Sequence, residues 1–536
     1  MNTTETIKEL KDRADQAWQR RRLYDRTLRE IYDFVMPMRD VSGLYAEQGR
    51  TEGATRVDKL FDSTAVKAAF RFAGRLQTEL TPIFQQFFSL EAGPLVPDDD
   101  NKKALTEQLQ LVGKIVGGVL SAGTFHQSAH EMYTDLFAGT GCMLIMPGDE
   151  HDLVRFRVVP IPEIALEEGP FGDIWGIYWQ RVWKARELKV LWPKGKFSDQ
   201  LLTAMENGKD SDIKVCQYTR YRPEERDWQL IVWCDKNNDT DTPIHTETFR
   251  VNPWLTPRFF KVPGEPYGRG PAQIALPFIK TANKARELAL KAAAFAVMGI
   301  WMRRNDGVFN PDTVKFEPLA MWTVGSTGGP LGPSIQRLPV PENFDVSSIV
   351  MNDEREQMKQ ALFDDTLPPD AGAVRSATEI AERMKRLSQD LSGVYGRLTL
   401  EIVKPLVQRV IDILETKGML GKNSIKIDQL LTQVRVIAPI ASGQQGAKVE
   451  QAVNWMQMMN MLGGQQAAML GAKMEDLFPE MGRWLGVEER FIRSKVERDK
   501  LQQAMGQAMA QQHAAATAPA GPPPDPAQQL VNGGAH

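Results

Sequence analysis

The stretch YGRGPAQIALPFIKTANKARELALKAAAFAVMGIWMRR, residues 267–304, opens the part of the chain that decides the fold. Pro271 suits the first position of a helix, where no N–H is needed and φ is already set. The helix is expected to run to about Arg303, with Pro277 bending its first turns. Residues 305–341 are dense in Gly and Pro and read as an irregular insert. Helix returns over 343–363, and 364–372, DDTLPPDAG, is a loop. Ser376-Ala377-Thr378-Glu379 then has the spacing of a capping box, in which the hydroxyl accepts from the third backbone N–H and the carboxylate reaches back. Ile380, Met384, Leu387, Leu391, Val394 and Leu398 make a helical stripe. That helix is expected to continue to Lys417 and stop at Gly418. About forty residues of helix would span roughly 60 Å, with Gly393, Gly396 and Pro405 as the expected bend points.

On the N-terminal side, residues 5–36 read as one amphipathic helix ended by Pro37. Ile7, Leu10, Ala14, Ala17, Tyr24, Leu28, Ile31 and Val35 form its stripe, with Arg21 as the one misfit. Arg20, Arg22, Arg26 and Arg29 crowd its other faces and read as a solvated or subunit-facing surface rather than a nucleic-acid arm. Helices are expected over 58–81 and 101–138, the latter with breaks at Gly113, Gly117 and Gly118. The pattern then turns to short alternating runs. Residues 142–146 and 153–159 flank Pro147-Gly148-Asp149-Glu150 as a β-hairpin. Further strands are expected over 174–182, 214–222, 228–233 and 258–262, where Trp and Tyr concentrate. C-terminal to the long helix, 447–510 reads as helical and rich in Met, Gln and Ala. Residues 511–536 lack large apolar side chains and are expected to be disordered. The fold class is therefore α+β, mostly α.

Composition narrows the function. The chain has 536 residues, 65 Lys and Arg against 68 Asp and Glu, and a formal charge of -3. A broad basic surface that grips nucleic acid is excluded, because tight phosphate binding needs many cations releasing many counterions. The three cysteines, Cys142, Cys216 and Cys234, show no CxxC spacing, so neither a zinc knuckle nor a disulfide framework is indicated. The polar N-terminus gives no expectation of a signal peptide. The apolar run 292–302 is too short to span a bilayer.

A search for chemistry returns little. There is no Walker A sequence, no GxGxxG and no GxSxG, and the glycine-rich 325–332 lacks the Lys-Ser/Thr ending. His126 and His130 share a helix face beside Glu131, but two ligands do not make a metal site. Asp149, Glu150, His151 and Asp152 read as a solvated hairpin tip rather than a calcium loop. Phe295, Met298, Trp301 and Met302 read as helix packing rather than a cofactor lining.

The order of these pieces resembles the head-to-tail connector (portal) proteins of short-tailed bacteriophages. Tyr267-Gly268-Arg269-Gly270-Pro271 opens a helix, followed by an insert, a helix and a Pro/Gly loop. Ala377-Thr378-Glu379-Ile380 and a long helix through Leu398, Pro405 and Leu406 come next. Phe61-Asp62-Ser63-Thr64-Ala65, Leu80-Thr81-Pro82 and Phe87-Phe88-Ser89-Leu90 are similar too. The resemblance covers roughly residues 10–460, carried by order and spacing rather than by one motif. Residues 434–446 depart from it, since an apolar-aromatic segment would be expected after the long helix.

The resemblance implies a ring-forming subunit, usually of a dodecamer, at one capsid vertex, with no catalysis, cofactor, metal or membrane insertion. It implies a wing over 1–269, stem helices over 270–303 and 343–363, and a clip over 304–342. A tunnel loop would occupy 364–376, a long helix with its return to the wing 377–446, a crown 447–510 and a disordered tail 511–536. Leu367, Pro368, Pro369, Asp370, Gly372, Val374 and Arg375 would lie near DNA. Lys280, Lys284 and Lys291 would face either the channel or a neighbouring stem's Asp353, Glu354 or Glu356. Arg303, Arg304 and Arg337 would dock partners at the clip. The alanine-rich start of the run at 292 would let stem helices approach closely. Implied partners are further copies of the chain, double-stranded DNA held non-specifically and transiently, the packaging terminase, a tail adaptor, and the major capsid and scaffolding proteins. The implied location is the virion, after assembly in the cytoplasm of a bacterial host. The competing readings are a helical virion scaffold or adaptor without a DNA conduit, an enzyme in the β-rich region, and a membrane pore.

Overall fold

The computed structural model describes residues 7–39, 59–93, 100–206, 212–234, 243–298, 301–303, 335–337, 344–363, 392–420, 432–437, 451–461 and 474–484, with isolated positions besides. The expected tunnel loop, the capping box at Ser376, Arg304 and the tail 511–536 lie outside the described residues, as does much of 447–510. The described chain is α+β and mostly α. Its helices are α1 (Ile7–Phe34), α2 (Thr64–Leu80), α3 (Asp100–Ala122), α4 (Phe125–Leu136), α5 (Ala185–Leu191) and α6 (Asp199–Glu206), then α7 (Pro271–Met298), α8 (Phe344–Ala361), α9 (Ser392–Leu398) and α10 (Lys404–Thr416). Its strands are β1 (Phe88–Ala92), β2 (Met143–Pro147), β3 (Val154–Val158), β4 (Ile164–Glu168), β5 (Ile174–Lys184), β6 (Asp212–Arg222) and β7 (Asp227–Cys234). The remainder are β8 (His245–Phe249), β9 (Trp254–Leu255), β10 (Phe260–Lys261), β11 (Gly268–Arg269), β12 (Trp301–Arg303), β13 (Ile335–Arg337) and β14 (Thr432–Val436).

The chain divides into two compact units. One comprises residues 1–87, 115–422 and 438–440. Its centre is an antiparallel sheet in the order β4-β5-β6-β7-β8. Tyr178, Tyr218 and Ile231 stand opposite one another across three strands. With Ala165, Cys216 and Trp233 they form one face, onto which α1 packs Leu10, Ala14 and Ala17. The opposite face meets β9, where buried Trp254 donates its indole N–H to the Thr219 hydroxyl at 3.0 Å. A sheet covered on both faces explains the continuous apolar run Leu230–Cys234 of β7 and the burial of Gln217 and Thr219 on β6. The β2–β3 hairpin forms as expected, with Ile145 opposite Phe156. Its exposed tip is closed by Asp149, which accepts from the N–H groups of His151 and Asp152 at 3.1 and 2.9 Å.

The other unit comprises residues 88–114, 423–437 and 441–536. Within it β1 pairs antiparallel with β14, Leu90 opposite Val434. Arg435 bonds Glu91 at 3.1 Å across that pair. Residues 451–461 and Met474–Trp484 are helical.

Several expectations need correction. The helix read over 58–81 begins only at Thr64, because Asp62 accepts from both the Thr64 N–H and hydroxyl at 2.9 and 2.5 Å and halts the preceding chain. The helix read over 101–138 is two helices, broken at Gly123 and not at Gly113, Gly117 or Gly118. Gly117 and Gly118 sit in open space where helix costs only the glycine's own entropy. The helix from Pro271 ends at Met298, not Arg303, since Trp301–Arg303 pairs as a strand with Ile335–Arg337. The same pairing places order within the insert read as irregular, and takes Trp301 and Met302 off the helix. The strand read over 258–262 shrinks to Phe260–Lys261, held by a two-residue pairing with β11.

Candidate functional site

α7 and α8 pack against each other, and β12 and β13 pair antiparallel beyond their adjoining ends, so the region is a helical hairpin. The foot of this hairpin is where sequence and structure concentrate most. Tyr267-Gly268-Arg269-Gly270-Pro271 forms a backbone joint against residues 137–140. A Cβ on Gly270 would lie 2.2 Å from the Phe137 carbonyl oxygen, and one on Gly268 would lie 2.4 Å from that of Gly139. Gly139 has φ +132°, which only glycine adopts readily. The close approach is fixed by Phe259 N–H to Gly139 O at 2.9 Å, Gly268 N–H to the Thr140 hydroxyl at 2.8 Å, and Ala272 N–H to Phe137 O at 3.2 Å. Both glycines are needed so that two stretches of backbone can touch.

Tyr267 fills the other side of the joint. Its buried phenol oxygen accepts from the Leu166 N–H at 3.0 Å, and burial pushes its pKa up. Arg21 lies with its guanidinium 5.5 Å from the Tyr267 ring centre. This arginine, the misfit in the α1 stripe, is 1% exposed. It donates to the Ile161 carbonyl from Nε and Nη2 at 3.4 Å and pairs with Asp25 at 2.6 Å. A buried cation is tolerated only when paired and hydrogen-bonded, and here it ties α1 to the joint. Tyr24 adds a ring contact with Tyr267 at 4.9 Å.

A second tie lies farther along the hairpin. Asn283, buried on α7, accepts from the N–H groups of Phe61 and Asp62 at 2.7 and 3.1 Å and donates to the Lys59 carbonyl at 2.7 Å. Asp62 takes Nε and Nη2 of Arg355 on α8 at 2.9 and 2.7 Å. Burial works to raise the Asp62 carboxyl, but the Thr64 hydroxyl and N–H and the Arg355 guanidinium outweigh it and hold its pKa below the usual 3.8. Apolar burial stops near this level. Ala272, Ala275, Leu276, Ile279 and Ala282 are buried, whereas Leu288 and Leu290 are 55% and 46% exposed.

Of the charged residues expected on the stem or clip, all but Arg304 fall among the described residues. Lys280 pairs with Glu30 of α1 at 2.6 Å. Lys284 and Lys291 both pair with Glu287 on their own helix, at 2.9 and 2.6 Å, and these two lysines are exposed. Within one chain, none of the three is paired with Asp353, Glu354 or Glu356. Arg303 and Arg337 lie on β12 and β13, the latter opposite Trp301. Arg20, Arg22, Arg26 and Arg29 are exposed. His130 Nδ1 bonds Gln77 Oε1 at 3.0 Å, and Gln77 also donates to the His126 carbonyl at 2.9 Å. No group of potential metal ligands occurs among the described residues.

The end of the expected long helix is anchored by charge. Pro405 cannot donate to the carbonyl of Glu401, and the helix relaxes there into a π turn over Thr399–Val403. That turn carries Glu401, which takes the N–H and Nη2 of Arg258 at 2.7 and 2.9 Å. Gly393 and Gly396, the other expected bend points, lie inside continuous α9. Gly418 closes α10 at φ +70° with Gly418 N–H to Glu415 O and Met419 N–H to Leu414 O at 2.9 and 3.0 Å, a Schellman motif. Arg21, Asn283 and Glu401 were not singled out from the sequence as functional. The break Arg21 makes in an apolar stripe is the signal that finds it.

Residues 7–492 match the family described as bacteriophage head to tail connecting protein. The chain is similar to a probable portal protein of Bordetella phage BPP-1, 22% identical over 400 residues that cover 71% of this chain and 69% of that one. It is similar to the portal protein of Enterobacteria phage T3, 19% identical over 410 residues covering 75% and 73%. Among solved structures it is similar to a chain of the virion of the native gene transfer agent particle, at 12% identity over 80% of this chain and 98% of that one, with a TM-score of 0.33. A chain from the neck of the empty gene transfer agent particle, computed with C6 symmetry, aligns at 10% identity over 80% and 97%, with a TM-score of 0.34. With a family match that runs over nearly its whole length, this chain belongs to the bacteriophage head to tail connecting proteins.

Proposed function

We propose that the chain is the portal subunit at one vertex of a phage capsid, assembling into a closed ring through which double-stranded DNA enters and leaves. Residues 1–269 serve as the wing, α7 and α8 as the stem, the segment between them as the clip, 364–376 as the tunnel loop, and 447–510 as the crown. The observation that carries this reading is the hairpin. Its foot is locked to the body by buried polar ties, while its outer half leaves Leu288, Leu290 and residues 292–294 exposed. An apolar, alanine-rich helical surface is suited to close packing against the same element of a neighbouring copy. A ring of such hairpins, twelve by analogy with the family, makes a tube.

Charge fits the same reading. A conduit has to let DNA slide both ways, and a strongly basic wall would hold the phosphates. A subunit of charge -3 with its stem lysines already paired to Glu30 and Glu287 presents a weak field. In this scheme Arg375 makes transient phosphate contact, and Arg303, Arg304 and Arg337 face the terminase and later the tail adaptor. The role is structural, with the motor supplied by the terminase. Deleting 366–373 tests the map. Rings are expected to assemble while packaging or retention of DNA falls; loss of folding would show the loop to be core and overturn it.

A further inference from the structure

Trp179, Arg181 and Trp183 alternate along β5 and so share one face of the sheet. Arg157 reaches them from β3. Its guanidinium lies 5.0 Å from the ring centre of Trp179 and 4.7 Å from that of Trp183. The Arg181 guanidinium lies 5.1 Å from the same Trp183 ring, so two like charges are stacked on one indole. β4 pairs with β5 only as far as Trp179. Arg181 and Trp183 therefore stand where that side of β5 has no paired strand, and Val182 between them is 52% exposed.

The cluster is short of acceptors. Among the described residues Arg157 has no hydrogen-bonded carboxylate. The two that act on it are engaged elsewhere, Glu163 by Trp179 Nε1 at 2.9 Å and Glu187 by the Lys184 N–H at 3.3 Å. Glu163 approaches Arg181 only to 3.8 Å, too far for a hydrogen bond. Trp183 is 9% exposed, and its Nε1–H is buried without a partner. Burial, with Arg181 adding to it, pushes the Arg157 pKa down to about 10. Buried donors are nearly always met in folded proteins, so a missing oxyanion is the simplest account of these. A carboxylate fits best. A guanidinium fork takes both its oxygens at once, and Glu163 would repel a doubly charged phosphate.

One carboxylate of this chain is held out for such a site. Arg222 grips Asp227 through Nε and Nη2 at 2.8 and 2.5 Å and also takes Glu225 at 2.5 Å. Arg226, at φ +55°, donates its N–H to the Arg222 carbonyl at 2.8 Å. The β6–β7 turn is thereby fixed, and Glu224 at its tip is exposed and unpaired among the described residues. Trp183 stands opposite Ile213 at one end of the five-stranded sheet, and the turn follows Arg222 at the other. The run of β6 between them spans about 30 Å. A contact repeated head to tail around a ring needs complementary patches on two different sides of one subunit, which these are.

We propose that Arg157, Arg181 and Trp183 form a carboxylate site that receives Glu224 of the next copy, joining the five-stranded sheets of neighbouring subunits end to end. The inference rests on the ring reading above and adds to it one pair of surfaces that meet.

Sedimentation and electron microscopy of the purified full-length chain test the contact. Arg157→Glu sets two carboxylates against each other, and Glu224→Arg brings a third guanidinium to the other two. Each variant alone is expected to raise the concentration needed for assembly about tenfold or more. Mixed in equal amounts, the two should recover rings, because in an alternating ring every contact again joins unlike charges. That recovery also shows both variants to be folded. Arg157→Gln and Glu224→Gln should each weaken assembly, and the double variant no more than either alone. Rings formed at the parent concentration by either charge reversal would overturn the inference and leave the site to the carboxylate of another protein. Reversals that keep the parent melting temperature yet fail to assemble when mixed would overturn it, and so would additive losses in the two glutamine variants. A parent chain that does not assemble would overturn the ring reading and this contact with it.

Discussion

Replacing Asp62 by asparagine keeps the side chain's shape and its acceptor for Thr64 while deleting the charge that holds Arg355. The two Arg355 nitrogens lie 2.9 and 2.7 Å from one carboxylate oxygen, and the side chains are 7% and 31% exposed. Breaking a fully buried pair costs about 3–5 kcal/mol, and a hydrogen bond to a charged group contributes about 1.5–3. Water reaches Arg355, so the lower range applies, about 2 kcal/mol, or roughly thirtyfold in the equilibrium for opening α8. The assay is hydrogen exchange of residues 344–361 in the parent chain, Asp62→Asn, Arg355→Met and the double variant. The expected coupling is about 2 kcal/mol. The folded state holds the Asp62 carboxyl below its usual 3.8, so the unfolded chain takes up the proton first. The coupling should therefore be complete well above pH 3.8 and vanish as pH falls through the lower folded value. A coupling within about 0.5 kcal/mol of zero at neutral pH, or one that grows on acidification, would refute the reasoning.

Two glycines should behave oppositely. Gly270→Ala places a Cβ 2.2 Å from backbone at Phe137 and is expected to cost about 4 kcal/mol or more, read as loss of soluble folded protein. Gly118→Ala meets nothing within 4 Å inside α3 and should raise the melting temperature, gaining up to about 1 kcal/mol. Arg21→Met should destabilise by about 3 kcal/mol in denaturant unfolding, because Asp25 and the Ile161 carbonyl lose their buried donor. Glu401→Gln leaves the Arg258 guanidinium, 6% exposed, without its carboxylate; about 3 kcal/mol should be lost locally, read as faster exchange over 392–416.

Local signals in the sequence were good guides wherever the deciding interaction is itself local. Pro271, the Pro147–Glu150 turn and Gly418 each act within a few residues, and the helix start, hairpin and helix end they set lie where pattern places them. Pairing across long separations was not legible. β1 is read as a plain Phe-Phe-Ser-Leu run because its partner β14 lies more than 300 positions away. The pairing of Trp301–Arg303 with Ile335–Arg337 was hidden for the same reason, since three-residue strands carry no period. Periodicity did flag Arg21, but only as an exception; the ring of Tyr267 and the carbonyl of Ile161 that explain it arrive from other elements. The lysines of α7 show the limit most clearly. Their spacing places them on a helix and brings Lys284 and Lys291 within reach of Glu287, while Glu30, the partner of Lys280, emerges only from the packing.

The central claim is that this chain closes into a ring around a passage for DNA. Imaging the purified protein by electron microscopy, with its mass measured in solution, tests that most directly. The account predicts a closed ring of many identical subunits with a central hole wide enough for duplex DNA. A chain that remains monomeric at high concentration, or rings without such a hole, would contradict it.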